Sequence, residues 1–265
     1  MPRLTDRHYL RTQQYRDASN LDARILVHQR FSTNGYDWQR WVFDRLDLPE
    51  RCDILDLGCG PGSLWTENTR RIPAGWRIMM SDLSLGMVQQ ARRHLSHGHP
   101  HANTAVLDAQ SLPFPSRHLD AVIANHMLYH IPDLDRALRE IRRVLRSGGR
   151  LYASTNGAQH LRELRDLVAT FCPEADCADV AADFGLENGA ALLSRQFTDI
   201  ALHRREDGLV VTEPEPLIAY ARSMMCQTAL AQNLESFSRC VRQQISAHGA
   251  IRIRKDSGIF EALRA

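Results

Sequence analysis

Lysine is nearly missing from this chain. Lys255 is the only one in 265 residues, so arginine supplies 32 of the 33 basic side chains. Arginine codons are GC-rich and lysine codons AT-rich, so the bias reads as coding composition and not as a functional signal. Long apolar runs are missing too. No segment approaches the roughly 18 apolar residues that a membrane span requires. The opening MPRLTDRHYLRTQQYRDASN is polar and charged, without the apolar stretch of a secretory signal. A soluble cytoplasmic protein that does not engage membranes is the expectation. No CxxC pair occurs among the six cysteines at 52, 59, 172, 177, 226 and 240, which are expected to be reduced. Cys59 lies inside a glycine turn, a poor place for a disulfide or a zinc ligand. There is little excess charge: the net is +2 and the pI about 8.3, too mild to argue for a nucleic-acid partner. Internal repeats and low-complexity linkers are absent as well.

What is present falls into three textures. Residues 1–48 read as short helices rich in aromatics, and residues 157–265 as helices with a few strands. Between them, strands and helices alternate with clear punctuation. Cys52–Leu57 is a short apolar run ending in Gly58, as a buried parallel strand should be. A helix is expected from about Ser63 to Arg71, then strands at Trp76–Met80, Ala105–Leu107, Leu119–Ala124 and Leu151–Thr155. Ser84 is placed to cap a helix carrying Leu85, Val88, Ala91 and Leu95 on one face. Asp133 is placed to cap another, with Leu134, Ala137, Leu138, Ile141, Val144 and Leu145 inward and Gly148–Gly149 ending it. Strands that alternate with helices imply parallel crossovers and a sheet covered on both faces.

Sheets of that kind bind ligands outside the carboxyl ends of their strands. After the first strand comes Asp56-Leu57-Gly58-Cys59-Gly60-Pro61-Gly62. Glycines at alternate positions let the backbone turn tightly and approach a ligand, and the helix that follows offers its amides. A dinucleotide fingerprint needs glycine at the sixth position, which here is Ser63. The GxGxG spacing therefore disfavours pyrophosphate. Asp82 stands 20 residues after Gly62 at the end of the second strand, where a carboxylate accepts from ribose hydroxyls. Asp108 ends the third strand in DAQSLPF, and its two readings are a contact to an adenine amine or a solvated loop acid.

In that order and at those intervals, ILDLGCGPG, SDLS, DAQSLPF and LDAVIANHMLYHIPDLDRALREIRRVLRSGGRLYAS resemble the class I S-adenosylmethionine-dependent methyltransferases, and within them the type 11 group. The resemblance covers about residues 50–156. It implies an α/β Rossmann-like fold: a seven-stranded, mostly parallel sheet of order 3-2-1-4-5-7-6, strand seven antiparallel, flanked by helices and carrying a helical cap. On this reading residues 1–48 form the cap and 49–265 the methyltransferase domain. A helical insertion at about 213–248 would contribute to the acceptor pocket, and Ile251–Arg254 and Ile259–Leu263 would make a closing hairpin around Lys255-Asp256-Ser257-Gly258.

The resemblance also implies roles. S-adenosylmethionine would be the methyl donor. Gly58, Cys59, Gly60 and Gly62 would cradle its methionine part, and Asp56 would support the loop and the amino group. Asp82 would hold the ribose, Leu83 and Met87 would pack on adenine, and Asp108, Ala109 and Gln110 would read its edge. Asn125 would offer its backbone carbonyl to the ammonium.

The candidate catalytic residues are His126, His130 and Tyr15. The two histidines stand four apart and would share a face if the segment were a helical turn; the alternative is that His130 packs structurally. No third ligand suggests a metal there. Tyr9, Tyr15, His28, Phe31, Tyr36, Trp38 and Trp41 are lid candidates whose faces would attract a sulfonium, or plain packing of a cap, with Tyr15 and Tyr36 foremost. Met224, Met225, Cys226 and Phe237 are candidate pocket walls or simply helical core. His94, His97, His99 and His101 read as a solvated loop, and Arg136, Arg139, Arg142, Arg143 and Arg146 as a solvated helix face. The function expected is in-line methyl transfer to a small-molecule acceptor by a monomer or homodimer, with no nucleic-acid partner. The alternatives are an RNA or protein methyltransferase, a non-catalytic cofactor-binding partner and a nicotinamide oxidoreductase.

Overall fold

A computed structural model of the chain describes residues 3–95, 102–173, 180–224 and 227–265. Its centre is one seven-stranded sheet of order β3-β2-β1-β4-β5-β7-β6. The strands are β1 (Arg51–Leu57), β2 (Gly75–Asp82), β3 (Ala102–Val106), β4 (Leu119–Asn125), β5 (Leu145–Asn156), β6 (Thr198–Val211) and β7 (Ile251–Leu263). Neighbours from β3 to β5 run parallel, while β7 runs antiparallel to both β5 and β6. This is the expected sheet order.

Every residue of β1 after Arg51 is buried, as a strand covered on both faces requires. It pairs with β2 from Arg51↔Gly75 to Leu57↔Ser81 and with β4 from Ile54↔Ala121 to Asp56↔Ile123. That register sets the carboxyl ends of β2, β1 and β4 side by side. Helix α5 (Leu85–Leu95) follows β2 and starts at Ser84, whose hydroxyl accepts from Met87 N at 3.4 Å. Helix α6 (Leu134–Val144) follows β4; the Asp133 carboxylate caps it through Arg136 N at 2.9 Å, and Ala137, Leu138, Ile141 and Val144 face the core.

Around the amino-terminal side lie a 3-10 turn (Arg3–Thr5), α1 (Arg7–Tyr9), a π-helical turn (Leu10–Gln14), α2 (Ser19–Phe31) and α3 (Trp38–Phe43). The remaining helices are α4 (Ser63–Thr66), α7 (Arg162–Phe171), α8 (Val180–Phe184), α9 (Gly189–Leu193), α10 (Pro214–Ser223) and α11 (Gln227–His248). Helices α2, α7, α10 and α11 share an apolar cluster that includes Val27, Val168, Leu217 and Phe237. The other two clusters fill the two faces of the sheet.

Four expectations change. The helix read over 63–71 is split into α4 and a 3-10 turn (Thr69–Arg71), because buried Asn68 leaves helical geometry (φ −118) and spends its amide on the Leu64 and Gln39 carbonyls. Gly148–Gly149 do not end α6. Leu145 turns extended (φ −66, ψ 144), is fully buried opposite Leu119 and passes directly into β5, whose bulged start holds both glycines. The third strand is β3, Ala102–Val106, earlier and longer than read. The closing hairpin is absent: residues 251–263 form one continuous strand, and its antiparallel partners are β5 and β6, whose residues the sequence had not located. The supposed turn stays extended because its residues serve pairing. Lys255 stands opposite Asp207, and a Cβ on Gly258 would lie 2.7 Å from the His203 carbonyl oxygen, so glycine allows the strands their approach.

Candidate functional site

A cavity of about 660 Å³ lies over the carboxyl ends of β1, β2 and β4 and the residues just after β3, roofed by the amino-terminal helices. Its floor begins with the glycine loop. Gly58, Gly60 and Gly62 all have positive φ (73, 54 and 82), which side-chain-bearing residues rarely adopt. Gly58, Cys59 and Gly60 line the cavity. Gly62 instead caps α4 with its back to α5, where an added Cβ would touch that of Ala91 at 3.4 Å.

Asp56 lines the cavity and is almost wholly buried. Its Oδ2 accepts from the Trp65 indole at 2.8 Å, while Oδ1 has no hydrogen-bond partner among the described residues. Burial favours the neutral acid and pushes its pKa up to about 7. Asp82, at the next strand end, accepts from Gly60 N (3.1 Å) and Ser84 N (2.8 Å), one amide per oxygen. Burial raises its pKa against those two amides. Each of its oxygens retains a lone pair. Leu83 and Met87 line the wall beside it.

Asp108, Ala109 and Gln110 also line the cavity. Asp108 is not a free loop acid: Oδ2 takes Arg7 of α1 at 2.7 Å, and Oδ1 takes Gln110 N at 3.0 Å. The Gln110 side-chain carbonyl is occupied by Asp133 N at 3.0 Å, at the start of α6. Arg7 belongs to a strap, residues 3–17, that crosses the cavity mouth. The Leu4 carbonyl meets His130, the Tyr15 carbonyl takes the Ser84 hydroxyl at 2.7 Å, and the Gln14 amide reaches the Ser223 carbonyl at 3.1 Å. A Cβ on Gly86 would stand 2.0 Å from the Arg16 carbonyl oxygen, so α5 admits the strap only because that position is glycine.

Asn125 ends β4 and lines the cavity; its side chain accepts from the Trp38 indole at 3.3 Å and donates to Gln39 at 3.1 Å. His126 adopts a left-handed backbone (φ 56), and only a 3-10 turn (Leu128–His130) follows, so His126 and His130 do not share a helical face. Both line the cavity. His130 Nδ1 meets the Leu4 carbonyl at 2.9 Å and must donate to it; Nε2 therefore accepts from the Tyr15 hydroxyl at 3.0 Å. Both nitrogens of His130 are thus engaged. His126 packs against the Trp38 ring (centroids 4.9 Å apart), and its Nδ1 has no partner among the described residues. Burial, reinforced by Lys255, pulls the His126 pKa down to about 4; burial does the same to His130.

His28 and Trp38, two of the amino-terminal rings read as a lid, line the cavity, as do Arg24, His160, Arg205 and Lys255, which carried no functional signal in the sequence. They come from α2, α3, the segment after β5, β6 and β7, and of the last four only the sole lysine was conspicuous. His28 is held neutral by burial, its pKa lowered to about 3, and stands 6.3 Å from His160 and 5.7 Å from Tyr220 between ring centroids. Tyr36 lines the cavity but is exposed, and its hydroxyl is tied to Asp44 at 2.7 Å. The helical insertion contributes Tyr220, whereas Met224 and Phe237 pack in the α2/α7/α10/α11 cluster. Met225, Cys226 and Cys177 lie outside the described residues, as do His97, His99 and His101. His94 is not simply solvated: its Nδ1 stands 3.0 Å from the Pro61 carbonyl of the glycine loop.

Residues 55–153 match the family described as a methyltransferase domain, type 11. Over 116 residues the chain is 33% identical to a ubiquinone/menaquinone biosynthesis C-methyltransferase, UbiE, of Hahella chejuensis; the match covers 43% of this chain and 47% of that protein. It therefore spans less than half of that relative's length. Among solved structures, phosphoethanolamine N-methyltransferase 2 of Haemonchus contortus with S-adenosyl-L-methionine aligns with a TM-score of 0.60 at 20% identity, covering 97% of this chain and 59% of that one. The [4+2]-cyclase SpnF aligns with a TM-score of 0.58 at 20% identity, covering 95% and 94%. At such identities the structures attest the fold. Residues 55–153 thus match a type 11 methyltransferase domain, on a sheet whose order is that of the Rossmann-like methyltransferase fold.

Proposed function

We propose that the protein transfers the methyl group of S-adenosylmethionine in line to a small-molecule acceptor and releases S-adenosylhomocysteine. The observation that carries this reading is the convergence of Asp56, Asp82 and Asp108, from three neighbouring strand ends, on one cavity, with the Asp56 Oδ1 buried and lacking a partner among the described residues. A buried carboxylate oxygen in that state fits a ligand ammonium. When bound, S-adenosylmethionine supplies an electrophilic methyl group on a sulfonium.

The chain's own residues would do the rest. Asp56 and the Asn125 carbonyl hold the amino group, and the Gly58–Gly60 backbone gives the methionine part room. Asp82 uses its remaining lone pairs on the ribose hydroxyls. Leu83 and Met87 cover adenine, and Asp108 with the Ala109 backbone meets its edge. The strap and the helices of residues 1–48 act as a cap that excludes water. Trp38 and Tyr15 set aromatic groups beside a cationic sulfur. Positioning of this kind supplies up to roughly 7–11 kcal/mol of barrier reduction without a base. Where the acceptor must lose a proton, His126 is the better placed of the two strand-four histidines, since both nitrogens of His130 are taken. A small acceptor suits the space, because about 660 Å³ lies within the range of enclosed small-molecule pockets, roughly 300–1,000 Å³.

Two titrations test the reading. S-adenosylhomocysteine should bind and NAD should not; the reverse order of affinity refutes the assignment. Asp82→Ala should weaken S-adenosylhomocysteine about 100-fold or more through two lost hydrogen bonds to a charged group, and unchanged affinity removes Asp82 from the ribose.

A further inference from the structure

We propose that the acceptor side of the cavity holds an oxyanion subsite built on Arg205 and Lys255, and that the methyl acceptor carries a carboxylate or phosphate group. The inference deepens the methyltransferase reading and rests on it for the word acceptor.

Both residues stand in the cavity wall, on the paired strands β6 and β7. The Arg205 side chain is 3% exposed. One nitrogen, NH2, donates to the Tyr36 carbonyl, but Nε and NH1 have no acceptor among the described residues. The carboxylate beside it, Asp207, is 3.9 Å from NH2 and already well supplied. Asp207 accepts from the Ser32 hydroxyl at 2.7 and 2.8 Å, from Asn34 N at 3.1 Å and Gly208 N at 2.8 Å, and from Lys255. Asp37, also in the wall, spends its Oδ1 as the cap of α3 on the Gln39 and Arg40 amides at 2.8 and 3.1 Å, and forms no ion pair with Arg205 within 4.0 Å among the described residues.

A guanidinium with two donor nitrogens buried and unpartnered is costly. The cost is lifted when a ligand brings the acceptor oxygens, and the planar fork of arginine matches carboxylate and phosphate geometry. The neighbouring ring nitrogens add direction. His28 Nδ1 and His126 Nδ1 likewise have no partner among the described residues, and both histidines are neutral beside Lys255, so they offer hydrogen bonds without further positive charge. Trp38 joins the subsite to the end of β4: His126 lies 4.9 Å from its ring and the Arg205 guanidinium carbon 5.8 Å.

The test uses the full chain saturated with S-adenosylhomocysteine and three probes of similar shape: benzoate, phenyl phosphate and the neutral benzamide. Binding is read by calorimetry and by the fluorescence of tryptophan. At least one anion should bind about tenfold or more tightly than benzamide, benzoate marking a carboxylate acceptor and phenyl phosphate a phosphate ester. Arg205→Gln should remove the preference while S-adenosylhomocysteine binds as before. Equal binding of anions and benzamide, no anion binding, or a preference that survives Arg205→Gln overturns the subsite. Should Arg205→Gln fail to fold, the discrimination by the wild-type chain and its loss in Lys255→Met decide. If S-adenosylhomocysteine itself does not bind, the methyltransferase reading fails, and the same probes on the unliganded chain still judge the subsite.

Discussion

Asp56 shows how much one buried atom can say. Its neighbour Trp65 satisfies one carboxylate oxygen and nothing described satisfies the other, while burial lifts its pKa to about 7. Below that pH the neutral acid is favoured, and a ligand ammonium prefers the ionised form. S-adenosylhomocysteine should therefore bind more tightly as the pH rises from about 6 to 8, and Asp56→Asn should flatten the dependence. Calorimetric titration at both pH values checks this; a wild-type affinity that does not change refutes it. The residue scale was also where the sequence was most legible. Asp56, Asp82 and Asp108 each follow a strand at a recognisable interval, so local spacing brought all three to the same cavity. Spacing alone did not reveal that Arg7 and the Gln110 amide already hold the Asp108 carboxylate.

At the scale of elements, the strap of residues 3–17 and the glycine loop both line the cavity. The Arg7–Asp108 ion pair is part-exposed, at 41% and 31% of the side-chain surfaces, so its contribution to stability is small, about 0–1 kcal/mol. Arg7→Ala should leave the melting temperature nearly unchanged yet speed dissociation of S-adenosylhomocysteine, as stopped-flow fluorescence would measure; identical dissociation rates show that the strap does not gate the site. Gly58→Ala should destabilise by about 1–3 kcal/mol, since its Cβ would sit 2.7 Å from that of Met127 at φ +73, and chemical denaturation reads this directly. Elements that local patterns govern were legible: the turn at 58–62, the Asp133 cap and the apolar face of α6. Elements that distant pairing governs were not. Lys255-Asp256-Ser257-Gly258 has turn chemistry, yet lies in a strand because β5 and β6 flank it. Of the arginines read as a solvated face, Arg139 is exposed, but Arg143 pairs with Glu140 and donates to the Leu112 and Phe114 carbonyls, and Arg146, at the start of β5, joins Asp53 of β1 to Asp120 of β4.

For the whole molecule, alternating strands and helices implied a parallel sheet covered on both faces, while its strand order came from the resemblance to the class I methyltransferases, and the sheet has that order. The acceptor side remained hidden, since His28, His160, Arg205 and Lys255 meet only after the chain has folded and share no sequence spacing. Their burial has a global consequence. His28, His126 and His130 have folded pKa values of about 3, 4 and 4, below the ordinary 6.5, so the unfolded chain binds more protons between those values. Stability should be fully present above pH 6.5 and fall as the pH drops toward about 4. Asp56, raised from 3.8 to about 7, and Asp82, also raised by burial, work in the opposite sense, two carboxyls against the four rings of His28, His126, His130 and His160, which burial likewise lowers. Melting temperatures across that range should show the loss, reduced in His28→Gln; a flat profile contradicts the burial of these rings as neutral groups.

Amide hydrogen exchange, with and without S-adenosylhomocysteine, tests the central claim most directly. If four strand ends hold a single adenosyl compound, the ligand should slow exchange together at residues 56–60, 82–87, 108–110 and 125–127, with the strap following. Protection confined to one of these segments, or found only elsewhere on the sheet, contradicts the account.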